Sequence, residues 1–100
     1  MGRLTKIMEE TDKQYFVGKS EIQEIPAGYT GKAIMRLSAF ETLQESLYQA
    51  QEEISAEMEL LRTKDKTKSA RFRELMGQKL MNVQIIGLFT RFGLDGQYDG

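Results

Sequence analysis

The stretch Leu80-Met81-Asn82-Val83-Gln84-Ile85-Ile86-Gly87-Leu88-Phe89-Thr90-Arg91-Phe92 decides the fold. On a helix, its apolar members (Leu80, Met81, Val83, Ile85, Ile86, Leu88, Phe89 and Phe92) cover most of the circumference. A helix that is apolar all round must be buried all round. Gly93 follows as a left-handed stop, and Leu94 is placed to close back on Phe89 as in a Schellman ending. Upstream, Phe72, Leu75, Met76 and Leu80 share one side, with Arg71, Arg73 and Lys79 elsewhere. The pattern predicts a helix over about residues 68–92.

A partner helix lies before it. Ala33, Leu37, Phe40, Leu47, Ile54, Met58 and Leu61 recur at spacings built of threes and fours, with Gln44 and Gln51 at the intervening seam positions. No Gly or Pro interrupts residues 32–61, which would span about 45 Å as a helix. Leu43 and Ala50 widen the seam beyond a bare coiled coil and suit a bundle. Thr30 is the candidate N-cap, and Thr63-Lys64-Asp65-Lys66-Thr67 is the break. Gln44 and Gln51 either bond across the interface and fix its register or lie at a wetter edge of the seam.

The expected fold class is therefore mainly α: an N-terminal extended segment over 1–28 with a short β-hairpin, then an antiparallel two-helix hairpin over 29–94. The helices span about 31–62 and 68–92, and the tail 95–100 is loose. In the leading segment, Gln14-Tyr15-Phe16-Val17 and Glu21-Ile22-Gln23-Glu24-Ile25 have strand composition, with Gly18-Lys19 as the turn between them. Two strands alone are marginal in water and must lean on the helices.

One hairpin sheathes one face of each helix and leaves part of 80–92 bare. The second cover comes either from Tyr15, Phe16, Ile22 and Ile25 or from a second protomer. A two-fold dimer built on Met81, Ile85, Ile86, Phe89 and Phe92 is the favoured solution.

The composition narrows the function. Of 100 residues, 40% are hydrophobic and 29% charged, a globular balance that allows one domain. There is no Cys, so disulfides and thiolate metal sites are out; there is no His, the commonest general base and metal ligand. Neither a membrane span nor the apolar stretch of a signal peptide is visible, and Lys6 stands where a myristoylation pattern needs Ser or Thr. Ser20, Ser38, Ser46, Ser55 and Ser69 have no His to activate them, and the glycines form no phosphate loop. Glu52, Glu53 and Glu57 form a solvated acidic face rather than a metal site. The expectation is a non-enzymatic protein without cofactor or metal.

Charge is unevenly spread. Residues 29–61 carry two basic and six acidic groups; residues 62–91 carry eight basic and two acidic. Antiparallel helices would pair these charges within the chain. The cluster Arg62, Lys64, Lys66, Lys68, Arg71 and Arg73 is also a candidate contact for an anionic partner, nucleic acid or acidic protein, with the two helix-borne arginines the better placed.

Arg3-Leu4-Thr5-Lys6 and Gly28-Tyr29-Thr30-Gly31-Lys32-Ala33-Ile34, followed by Arg36-Leu37-Ser38-Ala39-Phe40-Glu41, resemble a pattern in small proteins of phages and prophages of Gram-positive bacteria. Those proteins often open on Arg-Leu-Thr and carry Gly-Tyr-Thr-Gly ahead of a helix with Arg-Leu-Ala-x-Tyr-Glu; Ser38 and Phe40 depart from it here. The likeness covers about the first 41 residues and implies a context, not a chemistry: an accessory protein in the cytoplasm of a bacterial host. Such proteins often bind a host protein stoichiometrically, host-defence inhibitors among them. Three functions follow as expectations: a protein-binding inhibitor, a nucleic-acid-binding accessory protein using residues 62–73, and a structural oligomer of phage assembly.

Overall fold

The computed structural model describes residues 2–9 and 14–95. The chain is mainly helical. Four three-residue strands, β1 (Thr5–Ile7), β2 (Tyr15–Val17), β3 (Gln23–Ile25) and β4 (Gly28–Thr30), precede helices α1 (Lys32–Thr63) and α2 (Ala70–Arg91). The helices lie within two residues of the ends expected from sequence. The tail's residues 96–100 lie outside the described residues. The chain divides into two compact units, Met1–Thr42 and Leu43–Gly100, with the boundary inside α1.

In the first unit the strand pairing differs from the sequence expectation. Residues 15–17 and 23–25 are strands, but they do not pair with each other. β2 pairs back onto β1, with Lys6 opposite Phe16, and β3 pairs forward onto β4, with Glu24 opposite Tyr29. Pro26-Ala27 makes the second hairpin turn rather than ending the extended segment. Gly18 leads into a 3₁₀ turn, Lys19–Glu21, instead of turning a hairpin. Thr30 is the last residue of β4, not the N-cap; Gly31 precedes α1 and its carbonyl accepts from the Met35 N–H at 2.9 Å. The Arg36 guanidinium holds the Gly2 carbonyl at 2.8 Å, and Arg3 stacks 5.1 Å from the Tyr15 ring centre. Among its described residues no apolar side chain is fully buried.

The second unit is the helical hairpin. Its cross-helix contacts run in descending register, as antiparallel helices require. Gln44 meets Leu94, Gln51 meets Lys79 and Asn82, and Glu57 meets Arg71. Ile54 and Met58 of α1 pack with Phe72 and Leu75 of α2, with Leu61 at the edge. Phe89 is buried further along. On α2 this seam runs Phe72, Leu75, Lys79, Asn82, Ile86, Phe89, alternating steps of three and four. The seam glutamines bond across it. The Asn82 side-chain amide donates to Gln51 Oε1 at 3.0 Å, and the Gln51 side-chain amide donates to the Lys79 main-chain carbonyl at 3.3 Å. The Gln44 amide donates to the Leu94 carbonyl. These bonds favour one register, because sliding either helix by one turn would strip their partners.

Local signals end the helices. Ser69 caps α2, its hydroxyl accepting from the Phe72 N–H at 3.1 Å. Gly93, at φ 74°, and Leu94 close α2 through the expected Schellman bond from the Leu94 N–H to the Phe89 carbonyl, 2.6 Å. α1 ends in the same way with a non-glycine: Asp65 takes φ 58°, and the Lys66 N–H reaches the Leu61 carbonyl at 2.8 Å. Asp tolerates the left-handed region better than most residues, so the chain turns here without glycine.

Candidate interaction surfaces of the helical hairpin

On α2, apolar residues flank the intrachain seam on both sides. One flank carries Met81, Ile85, Leu88 and Phe92; the other carries Met76, Leu80 and Val83, then Gly87. Each follows the three-four spacing of a packing seam. Met81 is 62% exposed, Phe92 71%, Leu80 61% and Val83 52%. Ile85 is half-buried, and Gly87 faces open space. Between Leu75 and Thr90 the only charged residue is Lys79, which lies on the intrachain seam. The expected self-association residues thus separate into two sets. Met81 and Phe92 are exposed, whereas Phe89 is buried within the hairpin and Ile85 and Ile86 are half-buried. Leu80, Val83 and Leu88, exposed on α2, were not among them; the heptad lines through Arg71-Gln78-Ile85-Phe92 and Arg73-Leu80-Gly87 are the signal that finds the flanks.

The basic residues lie at the other end of α2 and in the inter-helix turn. Arg71 is taken up within the chain. Its guanidinium holds Glu57 of α1 by two bonds, 2.7 and 3.0 Å, and Glu74 one turn on at 2.9 Å. The fork-shaped guanidinium matches a carboxylate's two oxygens, so the pair gives register as well as charge neutralisation. Arg62 holds Glu59 at 3.2 Å and stacks 5.4 Å from the Phe72 ring centre. Arg73 donates to the Lys68 carbonyl at 3.2 Å. Lys64, Lys66 and Lys68 are exposed and make no ion pair among the described residues. Of the six expected anion contacts, the three lysines stand free and the arginines are engaged.

Hydrogen bonding from Arg71 holds the Glu57 carboxyl below the usual carboxylate range, and the same bond raises the Arg71 guanidinium. Because the carboxyl's value is lowered on folding, the pair stabilises at pH above the ordinary carboxylate range. That contribution is lost as pH falls through the lowered value. Thermal melts from neutral to strongly acidic pH should therefore show wild type losing its advantage over Glu57→Gln on the acid side. A constant gap between the two would contradict the pairing.

Glu53, expected on the acidic face, accepts from the Gln49 amide at 3.3 Å. Among the described residues no three carboxylates are gathered to hold a metal ion, and no helix is long and apolar enough to cross a membrane. Compared with known proteins, the chain matches no family model, no curated protein and no solved structure.

Proposed function

We propose that the chain is a non-enzymatic accessory protein that works by stoichiometric protein binding, through apolar surface on α2. The observation that carries this reading is the exposure of Leu80, Met81, Val83, Leu88 and Phe92 on a helix with a single charge over sixteen residues. Water-exposed apolar side chains at this density, in line along a helix, are what a groove on a partner recognises. The phage-like N-terminal pattern supports a host protein as the partner, in the cytoplasm of a bacterial cell.

Tagged chain expressed in its bacterial host is expected to retain one host protein in stoichiometric yield. Leu80→Glu, which places a charge on an exposed apolar flank, should abolish the retention while leaving the helix content unchanged by circular dichroism. Recovery of no protein partner in repeated trials would count decisively against the reading.

A second reading rests on the free lysines of the turn. Lys64, Lys66 and Lys68 form a positive tip suited to nucleic-acid phosphates. Retention of DNA or RNA that weakens steeply with salt, and is lost on reversing those three charges, would favour it over protein capture.

A further inference from the structure

The α2 flank that Arg71 heads runs from Met81 through Ile85 and Leu88 to Phe92, about 16 Å of helix. We infer that this flank is the seam of a two-fold dimer, in which α2 of one copy packs on α2 of another and two hairpins close a four-helix bundle. This rests on the reading of α2 as a binding surface and names the occupant of one of its flanks. The other flank, with Leu80 and Val83, stays available.

Two observations select a second copy as the occupant. The first is charge. In a two-fold contact each patch meets itself, so a charged patch repels its copy and an uncharged one does not. The line Met81, Ile85, Leu88 and Phe92 carries no charged side chain; at its two ends Arg71 is paired with Glu57 and Glu74, and Arg91 stacks 6.0 Å from the Phe92 ring centre. The second is the sparse core. Among the described residues only Ile54, Met58, Phe72, Leu75 and Phe89 are buried apolar side chains, few for a chain that must fold before any host protein is met. A second copy is present wherever the chain is made.

The test is the mass of the intact chain in solution, by sedimentation or light scattering. Wild type is expected at twice 11.5 kDa. Leu88→Glu should halve that mass with helix content kept, because Leu88 is 48% exposed in the single chain and lies outside the buried hairpin core. Leu80→Glu, on the opposite flank, should leave the dimer intact. If Leu88→Glu does not fold, Phe92→Ser at the open end of the stripe reads the same seam. A wild-type monomer at high micromolar concentration overturns the inference, and so does a dimer that Leu80→Glu dissolves and the Leu88 and Phe92 variants do not. A monomer that still retains a host protein overturns the dimer and leaves the binding role standing. A dimer that retains nothing supports the seam and removes the binding role.

Discussion

Leu75→Ala is expected to destabilise the helical hairpin by about 2–5 kcal/mol, the range for emptying a buried leucine site. Leu75 is 1% exposed and packs with Ile54, Met58 and Phe72. The effect should be at the upper end, because the cluster is small and its neighbours lie on two stiff helices that cannot collapse far into the gap. Domains hold only about 5–15 kcal/mol in reserve, so the variant should lose a large share of the hairpin's stability. Denaturant titration followed by helix content measures it. Met76, next along α2 and 42% exposed, supplies the control, and Met76→Ala should shift the midpoint little. Equal effects from the two substitutions would mean that the hairpin packs on a different face.

Gly31→Ala is expected to disrupt the first unit by more than about 2 kcal/mol, through two costs that add. Gly31 sits at φ 122°, where a side chain is strained by roughly 1–3 kcal/mol. A Cβ there would also lie 2.6 Å from the Glu21 carbonyl oxygen and 2.8 Å from the Ile22 Cα. Both are backbone atoms, so no side chain can rotate away; the 3₁₀ turn Lys19–Glu21 or the start of α1 must move. Amide hydrogen exchange should show lost protection in the β3–β4 hairpin and the first turn of α1. Gly28→Ala isolates the clash: Gly28 has φ 149°, but nothing lies within 4 Å of its would-be Cβ. It should cost less. If Gly31→Ala is as well protected as wild type, the close approach of Gly31 to residues 21–22 is wrong.

These two sites show what was legible in the sequence. Leu75 was visible, since its place in the three-four pattern with Phe72 marks it as core. Gly31 appeared only as part of a Gly-Tyr-Thr-Gly string, because the backbone that crowds it comes from residues 21–22, and no local pattern encodes that approach. The same division holds for the charges. The acidic and basic halves foretold pairing between the helices, but that Arg71 would be spent on Glu57, while Lys64, Lys66 and Lys68 stay free, depends on which side chains the register brings face to face. Composition marks residues 15–17 and 23–25 as strands but not 5–7 or 28–30, and the pairing differs from the expected one. Three-residue strands carry too little alternation to choose a partner, and the choice fell to the Pro26-Ala27 turn and to the reach of β2 back to β1.

By itself the sequence determined the two helices and, to within two residues, their bounds, because periodicity, the polar break and the Gly93 stop act within a turn or two of the residues that carry them; the caps at Ser69 and Asp65 emerged only in the structure. Only the tertiary structure decided which third of α2's apolar girth the hairpin covers. Burial on a helix is set by the register against its neighbour, and here Gln51, Asn82 and the Glu57–Arg71 pair fix that register. The flanks left bare by that choice, Met81 to Phe92 on one side and Leu80 with Val83 on the other, are the exposed apolar surface on which the proposed binding role rests.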